Sequence, residues 1–472
     1  MKNNIKNSIK YRLSLKASSF LNAIFICLII SVFSGCLVLV SHYQNMLNTQ
    51  LSMYEDLIGR NESSFNYLIN NTETLAYNQI EILDVFDDGI ISSIEKKNWG
   101  FYDVLVCKTI FKNDTISKIT LVGQKKNTTN TLALYTTNYD KPLKLSGSTK
   151  IFGNIKVPNG RIEQAYINGK EGNAIKLKGS ILKSDGKLPK IDKHISIDVS
   201  SYKAISLHSL DKGTTITNGF DQPTKVIDLG GITTLTNMVF KGNIILVSSI
   251  PLEISNTAKL HDILVMAPSI HILSGFEGNI QIIAKELIDI GENVSLRYPS
   301  SIYMKNDSNP VSVTINKNST LIGGIVIEGD FYNENLKRSL TIHENVTIVG
   351  NVYCYGLTQL EGTVIGSIYT DKFFLKTASS NYENVILNGT INRDSLPDNY
   401  PYLKTLLIKK NMQLLKNFKI LKASSIVESV IAISIISICA LVAFTVYLNV
   451  IGQNKSTYYY NAKHKINFFN QQ

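Results

Sequence analysis

Between residues 146 and 390 short apolar strands of three to six residues repeat, separated by Gly, Asn, Asp or Ser. Gly242-Asn243-Ile244-Ile245 returns as Gly278-Asn279-Ile280-Gln281, two turns of 18 further on, and Ile263 to Met266 with Ile270 to Leu273 fill the turn between them. Later copies are Ile325-Val326-Ile327-Glu328-Gly329-Asp330-Phe331 and Thr347-Ile348-Val349-Gly350-Asn351-Val352, their glycines 21 apart. Thr363-Val364-Ile365-Gly366-Ser367-Ile368 follows 16 further on. A loose period of 16 to 21 predicts a mainly β chain with a parallel β-solenoid (β-helix) body, each turn stacking its inward Ile, Val and Leu on the next. Gly and Asn then mark corners, where a positive φ is needed. A sandwich or barrel, with strands spaced by about 8 to 12 residues, is the competing reading. We place the body at residues 146–402, with 150–230 as an entry cap or inserted loop region. Residues 381–402, with Leu396-Pro397-Asp398, read as an exit cap.

Charge bounds the partners. The chain of 472 residues carries a net charge of +11. Residues 1–16 hold five Lys or Arg and no acid, and residues 403–472 hold nine Lys with one acid, Glu428, so the centre is nearly neutral. A nucleic-acid partner needs a basic face on the folded domain, and none is predicted. The basic ends instead flank the two most apolar segments, as membrane-anchoring charges do.

Lys2, Lys6, Lys10, Arg12 and Lys16 precede Phe20 to Val40, a run without a single charge. A helix over that run is about 31 Å long, enough to span a bilayer. Residues 1–16 are then a cytoplasmic leader and 17–42 a transmembrane helix, and the chain beyond it lies outside. A plain signal anchor accounts for this pattern. Phe33-Ser34-Gly35-Cys36 also approximates a lipidation signal on Cys36, although Leu37-Val38-Leu39-Val40 continues the apolar run. Met46, Leu51, Tyr54, Leu57 and Ile58 continue a helix to Gly59, and residues 60–80 read as weak helix or loop. Strand patterns at Ile80 to Val85, Phe101 to Phe111, Ile116 to Val122 and Thr131 to Tyr135, with a turn at Asn113-Asp114, complete a helical stalk plus a small α+β domain over 43–145.

The second apolar segment, 423–450, follows a basic stretch at 403–422 and precedes a polar tail at 451–472. It contains one acid, Glu428, inside Lys422-Ala423-Ser424-Ser425-Ile426-Val427-Glu428. A carboxylate in hydrocarbon costs roughly 2.5–3.5 kcal/mol, so such an acid is normally paired or functional. This stretch resembles the amino terminus of type IV prepilins and pseudopilins. The resemblance implies cleavage between Ala423 and Ser424, leaving Glu428 fifth in the mature chain, where it neutralises the free amine of a neighbouring subunit. Lys16-Ala17-Ser18-Ser19 repeats the start, and cleavage after Ala17 would begin the chain at Ser18 with Asn22 in the place of the acid. That departure puts processing and filament incorporation of this end in question. The lysines at 404, 409, 410, 416, 419 and 422 contradict the topology set by the first helix. Read from Met412, the second segment is a complete prepilin start, so the chain reads as a junction of two neighbouring frames.

The search for chemistry yields few candidates. Glu253, Asp289, Glu292 and Arg297 are the charged residues that could recur on one exterior face. His261 and His271, ten apart, are not expected to stack. There is no zinc-type Cys or His spacing, phosphate-cradling loop or nucleophile elbow, and neither a metal nor a cofactor is expected. Tyr353 and Tyr355, with Phe331 and Tyr332, form either an outer aromatic stripe or interior stacks. Cys107 and Cys354 are either one disulfide or two separate buried thiols. These readings converge on a non-enzymatic bacterial inner-membrane protein, pilin- or pseudopilin-like, with residues 43–402 extracytoplasmic. Its partners are the membrane, other pilin-like subunits, and a polysaccharide or surface protein. The alternative is a membrane-tethered β-helix polysaccharide lyase or hydrolase.

Overall fold

A computed structural model of the chain describes residues 17–404 apart from 88, 125–131, 168, 170–174, 192–198, 200–201, 208–213, 330–336 and 398–399. The expected leader at 1–16, the basic segment beyond 404, the second apolar segment at 423–450 and the polar tail lie outside the described residues, as do Ala423, Ser424 and Glu428.

One helix, α1 (Ala17–Asn70), opens the fold, and the rest is mainly β. The helix runs past Gly59, where the sequence pattern places its end. Its inward stripe there is Leu57, Asn61, Ser64, Phe65 and Leu68, all buried. Two of those positions are polar, so the apolar periodicity disappears while the helix continues. Asn61 compensates its burial by donating from Nδ2 to the Cys107 carbonyl at 3.3 Å, to Thr109 Oγ1 at 3.1 Å and to the Ile116 carbonyl at 3.2 Å.

Those acceptors belong to an antiparallel sheet of β1 (Ile80–Leu83), β2 (Ile91–Trp99), β3 (Tyr102–Phe111) and β4 (Asp114–Val122), paired in chain order. Its tight connections use Gly100 and Lys112 at φ 59° and 53°. One face of the sheet packs Ile94, Leu105 and Cys107 against Phe65 and Leu68 of α1. The other packs Trp99, Val104 and Val106 against Val226, Ile245 and Leu264. The strand at 132–136 does not join this sheet; it pairs in the larger one.

The larger sheet is a parallel ladder, and one of its buried columns shows how it is built. Ile227, Leu246, Val265, Ile282, Ile302, Ile325, Val352 and Ile368 are successive in-register partners. The shortest step in chain length runs from Val352 to Ile368 and the longest from Ile325 to Val352. The column then returns to the amino-terminal side of the chain through Leu134 and Ile155 to Ile181. Its last members, Ile205 at one end and Ile181 at the other, are 52% and 38% exposed, whereas those between are sealed. Residues 150–183 and 205–228, both within the stretch 150–230 read from sequence as an entry cap or inserted loop region, thus supply strands at opposite ends of the ladder. A second sealed column runs Leu235, Ile254, Ile272, Ile290, Ile315, Ile342 and Leu360. A third runs Leu296, Leu321, Ile348, Val364, Ile391 and Ile151. The sealed members of all three belong to one apolar core.

Six strands also close a ring of parallel pairings: Glu277–Ile290, Ser295–Lys305, Thr320–Glu328, Thr347–Leu360, Arg338–Ile342 and Val311–Ile315. The two longest make this possible, because the two halves of each pair with different strands. Corner residues carry the positive φ that Asn and Gly tolerate, as at Asn293 (56°), Asn318 (59°) and Asn345 (61°). Gly323, Gly350 and Gly366 stack so closely that a Cβ on any of them would overlap the backbone of the preceding strand.

Candidate functional site

From Phe20 to Tyr54 the side chains of α1 lie away from the body of the protein, apart from the partly covered Met53. Leu57 is the first to be buried, at 3% exposure, whereas Phe20 is 73% exposed. Phe25, Leu28, Phe33, Leu37 and Val40 are likewise open. An apolar surface of this size is not left to water in a soluble monomer. Phe20–Asn70 holds the one helix among the described residues that is long and apolar enough to cross a membrane, a property that a signal sequence shares. Ala17 and Ser18 form its first turn; Asn22 and Cys36 are exposed on it.

The outward side of the ladder carries an aromatic column that the sequence shows only in part. Tyr303, Val326, Tyr353, Tyr369 and Tyr135 are successive partners, and all five are buried. They lie outside the main apolar core, in a cluster with Phe101, Leu188 and Leu403. Two pieces of chain cover them. At the β2–β3 connection, Phe101 donates its N–H to Gln281 Oε1 at 2.8 Å, and Gln281 Nε2 donates to the Trp99 carbonyl at 3.2 Å. Around Leu188, the Tyr135 hydroxyl donates to the Lys187 carbonyl at 2.8 Å and the Tyr353 hydroxyl to that of Pro189 at 3.1 Å. Tyr353 is thus neither a free sugar-stacking surface nor part of the ladder interior. Tyr355 is half-buried beneath Arg338, and Phe331 and Tyr332 fall outside the described residues.

Register brings together charged residues that are far apart in sequence. Glu253, His271 and Asp289 are consecutive partners on one outward face, with Thr234 before them and Thr314 after. His271 Nδ1 lies 3.0 Å from Asp289 Oδ2, and Asn316 Nδ2 donates to Asp289 Oδ1 at 2.9 Å. Stacking of His271 with Glu253 and Asp289 is invisible in residue type, yet the spacing of 18 on each side carries the signal. His261 stacks elsewhere, between Lys241 and Asn279, with Nδ1 3.2 Å from Asn279 Oδ1. The neighbouring Asp262 carboxyl is pushed up by burial, against the pull of His261, Asn279 and Lys241. Arg297 pairs with Glu277 at 2.7 Å on the surface, and Glu292 is exposed at a corner, so neither joins the Glu253 column. Among the described residues no three His, Cys, Asp or Glu are grouped to hold a metal.

Asp371 is buried beside the tyrosine column. It accepts the Tyr139 hydroxyl at 2.8 Å on Oδ1, while Oδ2 is buried without a partner, and burial pushes its pKa up. Cys107 and Cys354 are separate buried thiols, raised by burial to about 11 and about 12, which makes both poor nucleophiles. No protein-family model, curated protein or solved structure matches this chain.

Proposed function

We propose that this is a non-enzymatic, membrane-anchored cell-envelope protein of pilin- or pseudopilin-like character. In this reading its body is a parallel β-solenoid displayed outside a bacterial inner membrane for assembly, adhesion or partner binding. The observation that carries it is the uncovered helix: from Phe20 its apolar surface, apart from the partly covered Met53, finds no partner among the described residues until Leu57, and residues 57–70 then dock on an antiparallel sheet. A stalk helix that continues out of the bilayer into a small sheet suits the resemblance at Lys16-Ala17-Ser18-Ser19. The three sealed columns, whose successive partners lie 16 to 27 residues apart wherever the chain runs forward, support the solenoid reading of the ladder. In this reading the two halves of the long strands lie on different faces of the solenoid, which accounts for the ring of pairings.

Amino-terminal sequencing of the membrane-extracted protein tests the proposal. Processing at the pilin-like site gives Ser18 as the first residue. Cys36 would mark a lipoprotein and Met1 a plain anchor, and either would contradict the pilin-like part.

The Glu253–His271–Asp289 column favours one second reading, a tethered polysaccharide hydrolase or lyase, since paired carboxylates flanking a bond do acid and base work. Release of reducing or unsaturated sugar ends from acidic and neutral polysaccharides, lost in Glu253→Gln and Asp289→Asn, would establish it. Product release unaffected by either substitution would rule the column out.

A further inference from the structure

Lys404 is held against the antiparallel sheet by two side chains at once. Its Nζ pairs with Asp103 Oδ1 and donates to Asn98 Oδ1 at 3.1 Å. Asn98 and Asp103 face each other across β2 and β3, so their side chains stand on the same side of the sheet. The Lys404 N–H donates to the Phe101 carbonyl at 3.1 Å, which fixes the backbone that carries the amine.

The amine and the carboxyl are largely withdrawn from water. Asp103 is buried and accepts the Tyr77 hydroxyl on Oδ2 at 3.3 Å. Burial, and after it the Asp103 charge, pushes that hydroxyl up to about 12, so it remains a donor. The Tyr77 ring centre is 5.2 Å from Lys404 Nζ and 4.3 Å from Lys96 Nζ. Lys96 is engaged elsewhere, donating to the Thr72 carbonyl at 2.7 Å, and Lys404 is the amine that reaches Asn98. Asn98 itself is exposed, which gives a small product of its carboxamide a way out.

An amine, a carboxyl group that can take its proton, and a carboxamide one hydrogen bond away are the parts of an amide exchange. Proton transfer within the pair leaves two neutral groups and removes the cost of keeping two ions from water. Holding the amine at the carboxamide supplies the effective concentration that free side chains lack.

We propose that Lys404 and Asn98 form an intramolecular isopeptide bond, with Asp103 as acid and base. Asp103 takes one proton from the ammonium, and the amine adds to Asn98 Cγ. Asp103 returns the proton to Nδ2, the Cγ–Nδ2 bond breaks, and Lys404 Nζ becomes an amide nitrogen. The second proton shed by Nζ leaves with the ammonia as ammonium, so no oxidant or cofactor is consumed. The bond joins residues 306 apart. It locks a segment that crosses the outside of the ladder, where the Tyr400 hydroxyl donates to the carbonyls of Gly323 at 2.7 Å and Val349 at 2.8 Å.

Tryptic digestion and mass spectrometry of the full chain, purified in detergent and unfolded before digestion, test the bond. Trypsin should fail to cut after Lys404, and residues 98–108 and 394–409 should appear as one branched peptide, lighter than their sum by one ammonia. Lys404→Arg and Asp103→Asn should each abolish it. Linear 98–108 and 394–404 alone from the wild-type chain overturn the proposal. A branched peptide lighter by one water places the bond on Asp103 and overturns the role of Asn98. A branched peptide that persists in Asp103→Asn overturns the role of Asp103. The wild-type digest decides even where a variant does not fold.

Discussion

The first turns of α1 and the interior of the ladder are built from the same residues, Ile, Leu, Val and Phe, and meet opposite fates. Leu28 and Phe33 are open on a helix, whereas Ile282 and Ile302 are sealed between neighbours above and below. The ladder buries its apolar surface by itself, so its stability is a property of the chain. The helix buries no side chain before Leu57 among the described residues, so its cover must come from elsewhere. Composition alone cannot separate the two, because both are runs of aliphatic residues. The difference lies in whether each run meets an in-register parallel partner further along the chain.

Matched truncations probe that contrast with the largest effect. Ile302→Ala should cost the body about 2–5 kcal/mol in chemical unfolding, through lost burial and the cavity left behind. Leu28→Ala should change the same unfolding by less than about 0.5 kcal/mol. Equal costs would mean that the helix is covered by the body after all. Next in size is the border between the two regimes. Asn61→Ala leaves the Cys107 and Ile116 carbonyls without their amide donor, and should destabilise the helix–sheet contact by about 1–3 kcal/mol, read as faster amide exchange in β3 and β4.

Smaller effects refine the picture of the ladder. Asn318→Ala should cost about 1 kcal/mol at its left-handed corner, and Asn318→Gly should recover it; equal losses would locate the cost in the Asn318–Asn345 side-chain contact. The smallest concerns Asp371. Burial raises its pKa, so the folded chain keeps this proton to a higher pH than the unfolded chain does. Stability therefore falls as pH rises from the ordinary carboxylate range through the raised value. Asp371→Asn should flatten that fall and raise the unfolding midpoint near neutral pH; an unchanged slope would show that the carboxyl is not the titrating group.

Much of the ladder is legible in sequence, because an inward Ile or Val repeats wherever the period is regular, and Asn293, Asn318 and Asn345 mark corners at which left-handed backbone is found. Two things hide. β2 presents Ser92, Ile94 and Lys96 inward, and such a mixed face carries no apolar alternation. Leu134 and Ile155 complete the ladder beyond Ile368, and no local period announces a pairing between strands from opposite ends of the body. The candidate sites hide for the same reason. Glu253 and Asp289 stand out as acids at regular spacing, but their relation to His271 exists only in register.

The whole proposal turns on a membrane covering the surface of α1 from Phe20 onward. Alkaline carbonate extraction of native membranes is the decisive experiment. The intact chain should stay in the membrane pellet, while a chain lacking residues 20–40 should be released with the unfolding midpoint of its body unchanged. Release of the intact chain by carbonate, or retention of the shortened one, would contradict it.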